Sequence, residues 1–273
     1  ICWDGKGGSA RRRKLFPDYK ANRRVRTRLT RMSNYGNVGD EQIAMGQQIR
    51  RLTQYLESLP KTAQIIDIGG GYNPWCRNFV THYVDLYDID GAFTFKGNVN
   101  MHYVWENIVE HLDGSKFDYA ICTHMLEDVA NPEMTLRYLP QIAKEGFISM
   151  PSKYTELTPN LHNIRGSIHH RWIYNKERGM WWDEKIKRWS EVDMLVAYPK
   201  VVWLAGNEGG ISDKIGFPTW DKLMESDLHE LSLTWKDDIH WKYMNDDYMG
   251  PDDNSVKNYY QELLDPGVEK QIW

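Results

Sequence analysis

The chain has 273 residues and a mass of 32.2 kDa, with 41% hydrophobic residues, 26% charged residues, 12 tryptophans and a net charge of -4. That is enough apolar material for a sizeable core, and it excludes both a disulfide-stapled mini-protein and a disordered chain. Cys2, Cys76 and Cys122 lie far apart with no Cys-x-x-Cys pair. The cysteines thus give no zinc or disulfide framework and, with no secretory leader pattern, lead us to expect a cytoplasmic protein. No apolar run is long enough for a membrane-spanning helix.

Charge divides the chain. Residues 1–33 carry 11 Lys+Arg against Asp4 and Asp18, a net +9, and the remaining 23 basic and 36 acidic residues give -13. Residues 1–39 therefore read as a basic arm, whose arginines between 11 and 31 either contact a polyanion by neutralising its charge or pair with the acidic body. Residues 40–273 read as one domain, with a core at 62–152 and an elaboration at 153–273.

From Asp40, a plausible N-cap, Ile43, Met45, Ile49, Leu52, Leu56 and Leu59 form a helical stripe that Pro60 ends. Strands are expected at Gln64 to Ile68, His82 to Leu86, near Phe93 to Val99, Phe117 to Cys122 and Gly146 to Met150. Helices are expected at Met101 to Leu112 and Glu133 to Ala143, the second opened by Asn131 as N-cap and Pro132 at N1. Strands alternating with helices predict a mostly parallel sheet. Beyond Pro151 the pattern loosens into aromatic-rich segments at 169–189, a strand near Lys200 to Leu204 and late antiparallel strands within Leu231 to Tyr243.

The sharpest feature is the strand Ile65-Ile66-Asp67-Ile68 running into Gly69, Gly70 and Gly71, then Tyr72, Asn73 and Pro74. Glycines permit a tight turn and close approach of backbone to a ligand. Pro74 stands where a dinucleotide fingerprint wants its third glycine, which disfavours a dehydrogenase. The next strand ends at Asp85, 18 residues after Asp67. In a parallel sheet the carboxyl ends of neighbouring strands share one crevice, where a carboxylate can accept both hydrogen bonds of a ribose diol.

These residues, followed by Asn98-Val99-Asn100 and the run Phe117-Asp118-Tyr-Ala-Ile-Cys-Thr123-His124-Met-Leu-Glu127-Asp-Val with Pro132, resemble class I S-adenosylmethionine-dependent methyltransferases over about residues 62–152. The resemblance implies an α/β, Rossmann-like fold: a seven-stranded, mostly parallel sheet with helices on both faces and the last strand antiparallel. It implies S-adenosylmethionine as cofactor. Its methionine end would meet Asp67, Gly69, Gly70, Gly71 and Tyr72, its ribose Asp85 beside Leu86, and its adenine Asn98 and Val99. A cofactor-facing segment would run from Thr123 through His124 to Glu127. Only about 13 residues separate Gly71 from Asp85, so the first crossover helix must be short.

Methyl transfer requires chiefly that the acceptor be positioned and water excluded. A hydroxyl acceptor gains from a general base, and histidine titrates in the useful range. His170, His169 and His124 are the catalytic candidates, with His162 nearby. Because neighbouring strand residues point oppositely, His169 and His170 are not both expected in the pocket, and His170 is preferred. Glu127, Arg171, Trp172 and Tyr174 are expected to meet the substrate, in an acceptor site that also draws on the tryptophan-rich tail. Asp246, Asp247, Asp252 and Asp253 could hold magnesium, but they flank a Gly-Pro turn and no metal is expected. The leading function is O-methylation of a sugar or glycan hydroxyl. The rivals are methylation of RNA or another polyanion through the arm, and a non-catalytic binding module on the same fold.

Overall fold

The computed structural model describes residues 50, 52–71, 76–89, 93–158, 166–167, 169–184, 186–200, 223 and 227–244. The basic arm, most of the helix expected from Asp40, Tyr72 to Pro74, His162, residues 201–204 and the aspartates at 246, 247, 252 and 253 lie outside the described residues.

Five parallel strands form the main sheet: β1 (Ile65–Ile68), β2 (His82–Asp85), β3 (Phe93–Lys96), β4 (Tyr119–Thr123) and β5 (Glu145–Pro151). The later β8 (Glu230–Lys236) adds antiparallel to β5, and the spatial order is β3-β2-β1-β4-β5-β8. Among the described residues the sheet thus has six strands where seven were expected. Strand β1 is buried on both faces, as an interior parallel strand should be, which is why it reads as an almost unbroken apolar run.

The two faces of the sheet carry separate cores. Ile66, Ile68, Val84, Ala120 and Cys122 pack beneath α1 (His102–Leu112) and α2 (Pro132–Ile142). Ile65, Tyr83, Tyr119 and Ile121 pack on the other side with Leu52 and Leu56 of the helical stretch 52–58. In α1, Val104, Trp105, Ile108 and Leu112 supply the apolar stripe, and the helix stops at Asp113, whose φ of 44° is left-handed. Trp105 is fully buried, donates to the Val99 carbonyl at 2.8 Å and stacks on Tyr138. Asn131 is the N-cap of α2 as expected, but its side chain makes no capping bond; its amide donates to Asn100 Oδ1 at 2.9 Å instead. Between Gly71 and β2 the described residues 76–79 form a turn, and none of them is helical.

The segment after Pro151 is more regular than the sequence suggested. Following the short α3 (Lys153–Leu157), β6 (Trp172–Asp183) and β7 (Arg188–Pro199) pair over twelve residues each in one antiparallel hairpin. Strand β9 (Trp241–Tyr243) joins β7 in parallel, so the two late strands, expected together, belong to different sheets. The aromatic density of 169–189 concealed the two-residue alternation of a strand. The base of the hairpin is not separate from the main domain: Trp172, Tyr174, Leu195 and Ala197 share the core beneath α1 and α2.

Candidate active site

Strand order reverses between β1 and β4, and the chain segments leaving the carboxyl ends of these two strands flank a crevice there. Gly69 and Gly71 leave β1 with φ of 75° and 68°, conformations that side chains rarely adopt. Gly69 sits tight against the other wall, because a Cβ there would stand 2.7 Å from Met125 Cγ. Among the described residues nothing lies within 4 Å of a Cβ position at Gly71, so that side of the turn is open to them. Across from it, Asp85 Oδ2 accepts from the Gly71 amide at 2.9 Å and Oδ1 from the Tyr87 amide at 3.2 Å. The expected turn and carboxylate therefore meet at one end of the sheet. A carboxylate with two backbone donors retains acceptor capacity for a further pair of hydroxyls.

Other predicted contacts fare differently. Asp67 is buried behind the turn, accepting from Cys76 Sγ at 3.3 Å through Oδ2, while Oδ1 has no partner. Burial pushes its carboxyl up to about 7, against the bond from Cys76, with Asp85 adding to the rise. Its place is thus support of the turn from within. Leu86 is exposed, and Asn98 spends its amide oxygen on Asn100 in its own turn. Val99 is partly buried against the core and Thr123 closes β4.

After β4 the chain takes a left-handed step at His124, with φ of 49°. Its Nδ1 lies 3.4 Å from Glu127 Oε1 and its Nε2 lies 3.8 Å from Glu230 Oε1. The side chain is 54% exposed. Desolvation would lower its pKa, but Glu127, then Glu230 and Asp128, outweigh it and push it up to about 9. Glu127 itself is buried, with Oε2 unpartnered.

His169 and His170 lie in the turn before β6, not on a strand, so the rule of opposite faces does not apply. Both rings turn toward Asp128: His169 Nε2 stands 3.6 Å and His170 Nε2 3.9 Å from Oδ1. His170 Nδ1 lies 2.6 Å from Glu156 Oε1. Since an ionised carboxylate only accepts, Nδ1 carries the hydrogen and Nε2 is the nitrogen left for chemistry. Glu156 is buried on α3 and also takes a bond from Lys200, whose ammonium donates to the Ser167 carbonyl at 2.9 Å. Burial raises Glu156, and His170 and Lys200 together bring it below its ordinary range. The same Glu156 bond outweighs desolvation to raise His170, whereas desolvation lowers His169 despite Asp128. Gly166, at φ of 57°, lies against this array, where any Cβ would collide with Glu156 and Lys200.

Two of the residues expected to meet the substrate are buried in this structure. Tyr174 is 1% exposed and donates to the Leu126 carbonyl, and buried Trp172 donates to the Val129 carbonyl at 2.8 Å. With the Arg171 amide donating to the Glu127 carbonyl at 2.6 Å, they pin the segment 126–129 and leave an acceptor no face to stack on. The Arg171 side chain is exposed. Sequence reasoning missed Asp128, Glu156, Lys200 and Glu230. Glu230 arrives because Ser152 and Thr155 of the α3 N-terminus hold the carbonyls of Leu228 and His229. No spacing rule links these positions.

A model of the methyltransferase domain matches residues 41–189, more than half of the chain. The chain belongs to the methyltransferase domain family. Solved structures similar to this methyltransferase include an S-adenosylmethionine-dependent methyltransferase from Mesorhizobium loti, 16% identical, covering 57% of this chain and 66% of that one, with a TM-score of 0.32. The N-terminal domain of EvdMO1 with SAH bound is 12% identical, covering 54% and 64%, with a TM-score of 0.31. Magnesium protoporphyrin IX methyltransferase (ChlM) from Synechocystis PCC 6803 with bound SAM is 13% identical, covering 72% and 93%, with a TM-score of 0.33. The methyltransferase spans just under two thirds of the length of the first two. No curated protein matches it. None of its described helices is long and apolar enough to cross a membrane.

Proposed function

We propose that this methyltransferase transfers a methyl group from S-adenosylmethionine to a hydroxyl of a sugar or glycan. The cofactor fits the crevice because the Gly71 side is open, Gly69 and Gly70 present bare backbone, and Asp85 offers acceptors for a ribose diol on the adjoining strand. When bound, it supplies an electrophilic methyl group that an acceptor oxygen displaces in line.

The observation that carries the acceptor side is His124. It stands at the carboxyl end of β4, next in the chain to Met125, whose side chain packs against Gly69. We assign it the role of taking the hydroxyl proton, a service worth roughly 10²- to 10⁴-fold in rate. Glu127 and Glu230 steady the imidazolium that results, and Glu230, the less buried of the two, offers an acceptor to a neighbouring hydroxyl of a polyol. The neutral imidazole is the minor form at neutral pH, so turnover should climb as pH rises toward about 9.

Thermal shift against S-adenosylmethionine, S-adenosylhomocysteine and NAD, followed by mass spectrometry of a sugar panel, tests the reading. Stabilisation by the first two and a methylated sugar support it. Absence of any shift refutes it. Activity on RNA that weakens steeply with salt and vanishes on deleting residues 1–33 would replace the sugar with a polyanion.

A further inference from the structure

We infer that Asp128, His169 and His170, beside the His124–Glu127 pair, form a binding site for one divalent transition-metal ion of the zinc type, whatever the acceptor is. Among the described residues these three side chains place one ligand atom each within 4.8 Å of one another. Donors at ordinary zinc distances of ~2.0–2.1 Å in a tetrahedron stand about 3.4 Å apart. The 3.6 Å and 3.9 Å from Asp128 Oδ1 to the two imidazole nitrogens need to close by a few tenths of an ångström, and the edge between the two histidines, within 4.8 Å, closes by rotation of the more exposed His169 ring. The two rings are edge to face with centroids 4.5 Å apart, so neither ring covers the face of the other.

The support behind the ligands is the second argument. His170 gives its Nδ1 hydrogen to Glu156, which fixes the tautomer with Nε2 free, and Lys200 and Ser167 fix Glu156 in turn. A carboxylate behind a histidine in this way is how ligating imidazoles are held and made more basic. Access is graded: His170 is 11% exposed, while His169 and Asp128 are 40% and 44% exposed. An ion can enter from solvent, and three protein ligands leave a fourth position for water or an oxygen ligand, as in catalytic rather than structural zinc sites. A mere ion pair between Asp128 and the histidines would need neither the Glu156 support nor both rings beside one oxygen.

The test uses the full, untagged chain titrated with Co²⁺, read by visible absorption, and with Zn²⁺, read by competition with a chromogenic chelator. One ion per chain is expected, with a cobalt spectrum of low coordination number. His169→Ala and Asp128→Asn, both partly exposed, should each weaken binding at least tenfold. Glu156→Gln, which touches no metal, should weaken it by about 10- to 100-fold. Circular dichroism and the S-adenosylmethionine thermal shift are recorded on the same samples, so loss of fold or of cofactor binding is seen apart from loss of metal. Absence of stoichiometric binding by the wild type, or equal affinity in wild type, His169→Ala and Asp128→Asn, overturns the site. If Glu156→Gln does not fold, those two variants decide.

Discussion

Lys200→Met tests the buried array behind His170. Lys200 and Glu156 have side chains only 2% and 1% exposed, and the ammonium serves both the carboxylate and the Ser167 carbonyl. Removing it leaves a buried negative charge with His170 as its one remaining cation of the array, and orphans the carbonyl. Breaking one side of such a pair costs about 3–5 kcal/mol, because the stranded charge keeps its desolvation cost. At roughly 2–4 °C per kcal/mol for a domain of this size, the midpoint of thermal unfolding should fall by about 6–20 °C. Calorimetric or circular-dichroism melts at pH 7 measure it. Lys200→Met combined with Glu156→Gln should recover part of the loss, since no lone charge remains. A single-variant drop under about 2 °C, or a double variant whose losses simply add, would refute the reasoning.

Gly71→Arg should abolish the stabilisation by S-adenosylmethionine, ~2.7 kcal/mol at a hundred times its dissociation constant, while the unliganded protein stays folded; an unchanged ligand shift counts against the crevice. His124→Gln should leave that shift intact and lower kcat by roughly 10²- to 10⁴-fold, and the wild-type rise of kcat toward pH about 9 should flatten in the variant; a parallel profile removes His124 from proton transfer. Asp67 has a folded pKa of about 7 against an ordinary 3.8, so its protonated form favours folding below pH 4 and that benefit is lost as pH rises through 7. Asp67→Asn should therefore gain on the wild type between those values, by up to about 4 kcal/mol; a pH-independent difference in melting temperature contradicts the burial argument.

What the sequence made legible follows one physical distinction. Strands β1 to β5, α1 and α2 were readable because each signal is local: an apolar run, a stripe at 3.6-residue spacing, glycines after a strand, Asn-Pro before a helix. The meeting of Gly71 and Asp85 was also readable, since parallel strands bring their carboxyl ends to one side. The acceptor end was not. Glu156, Lys200, Asp128 and Glu230 come from α3, the end of β7, the loop after β4 and the start of β8, and only tertiary packing joins them. Trp172 and Tyr174 misled because aromatic type says nothing about which way a ring points. The hairpin was hidden for a related reason: tryptophans on both of its faces blurred the two-residue period.

Three hydrogen bonds join the foot of the β6–β7 hairpin to the backbone of residues 126–129, whereas the glycine turn hydrogen-bonds to β2 and meets Met125 only by packing. On the reading proposed above, the hold on the methyl source and the hold on its acceptor lean on different stretches of polypeptide. A lesion at the hairpin foot would then disturb acceptor use first, and a lesion at Gly71 the grip on the donor.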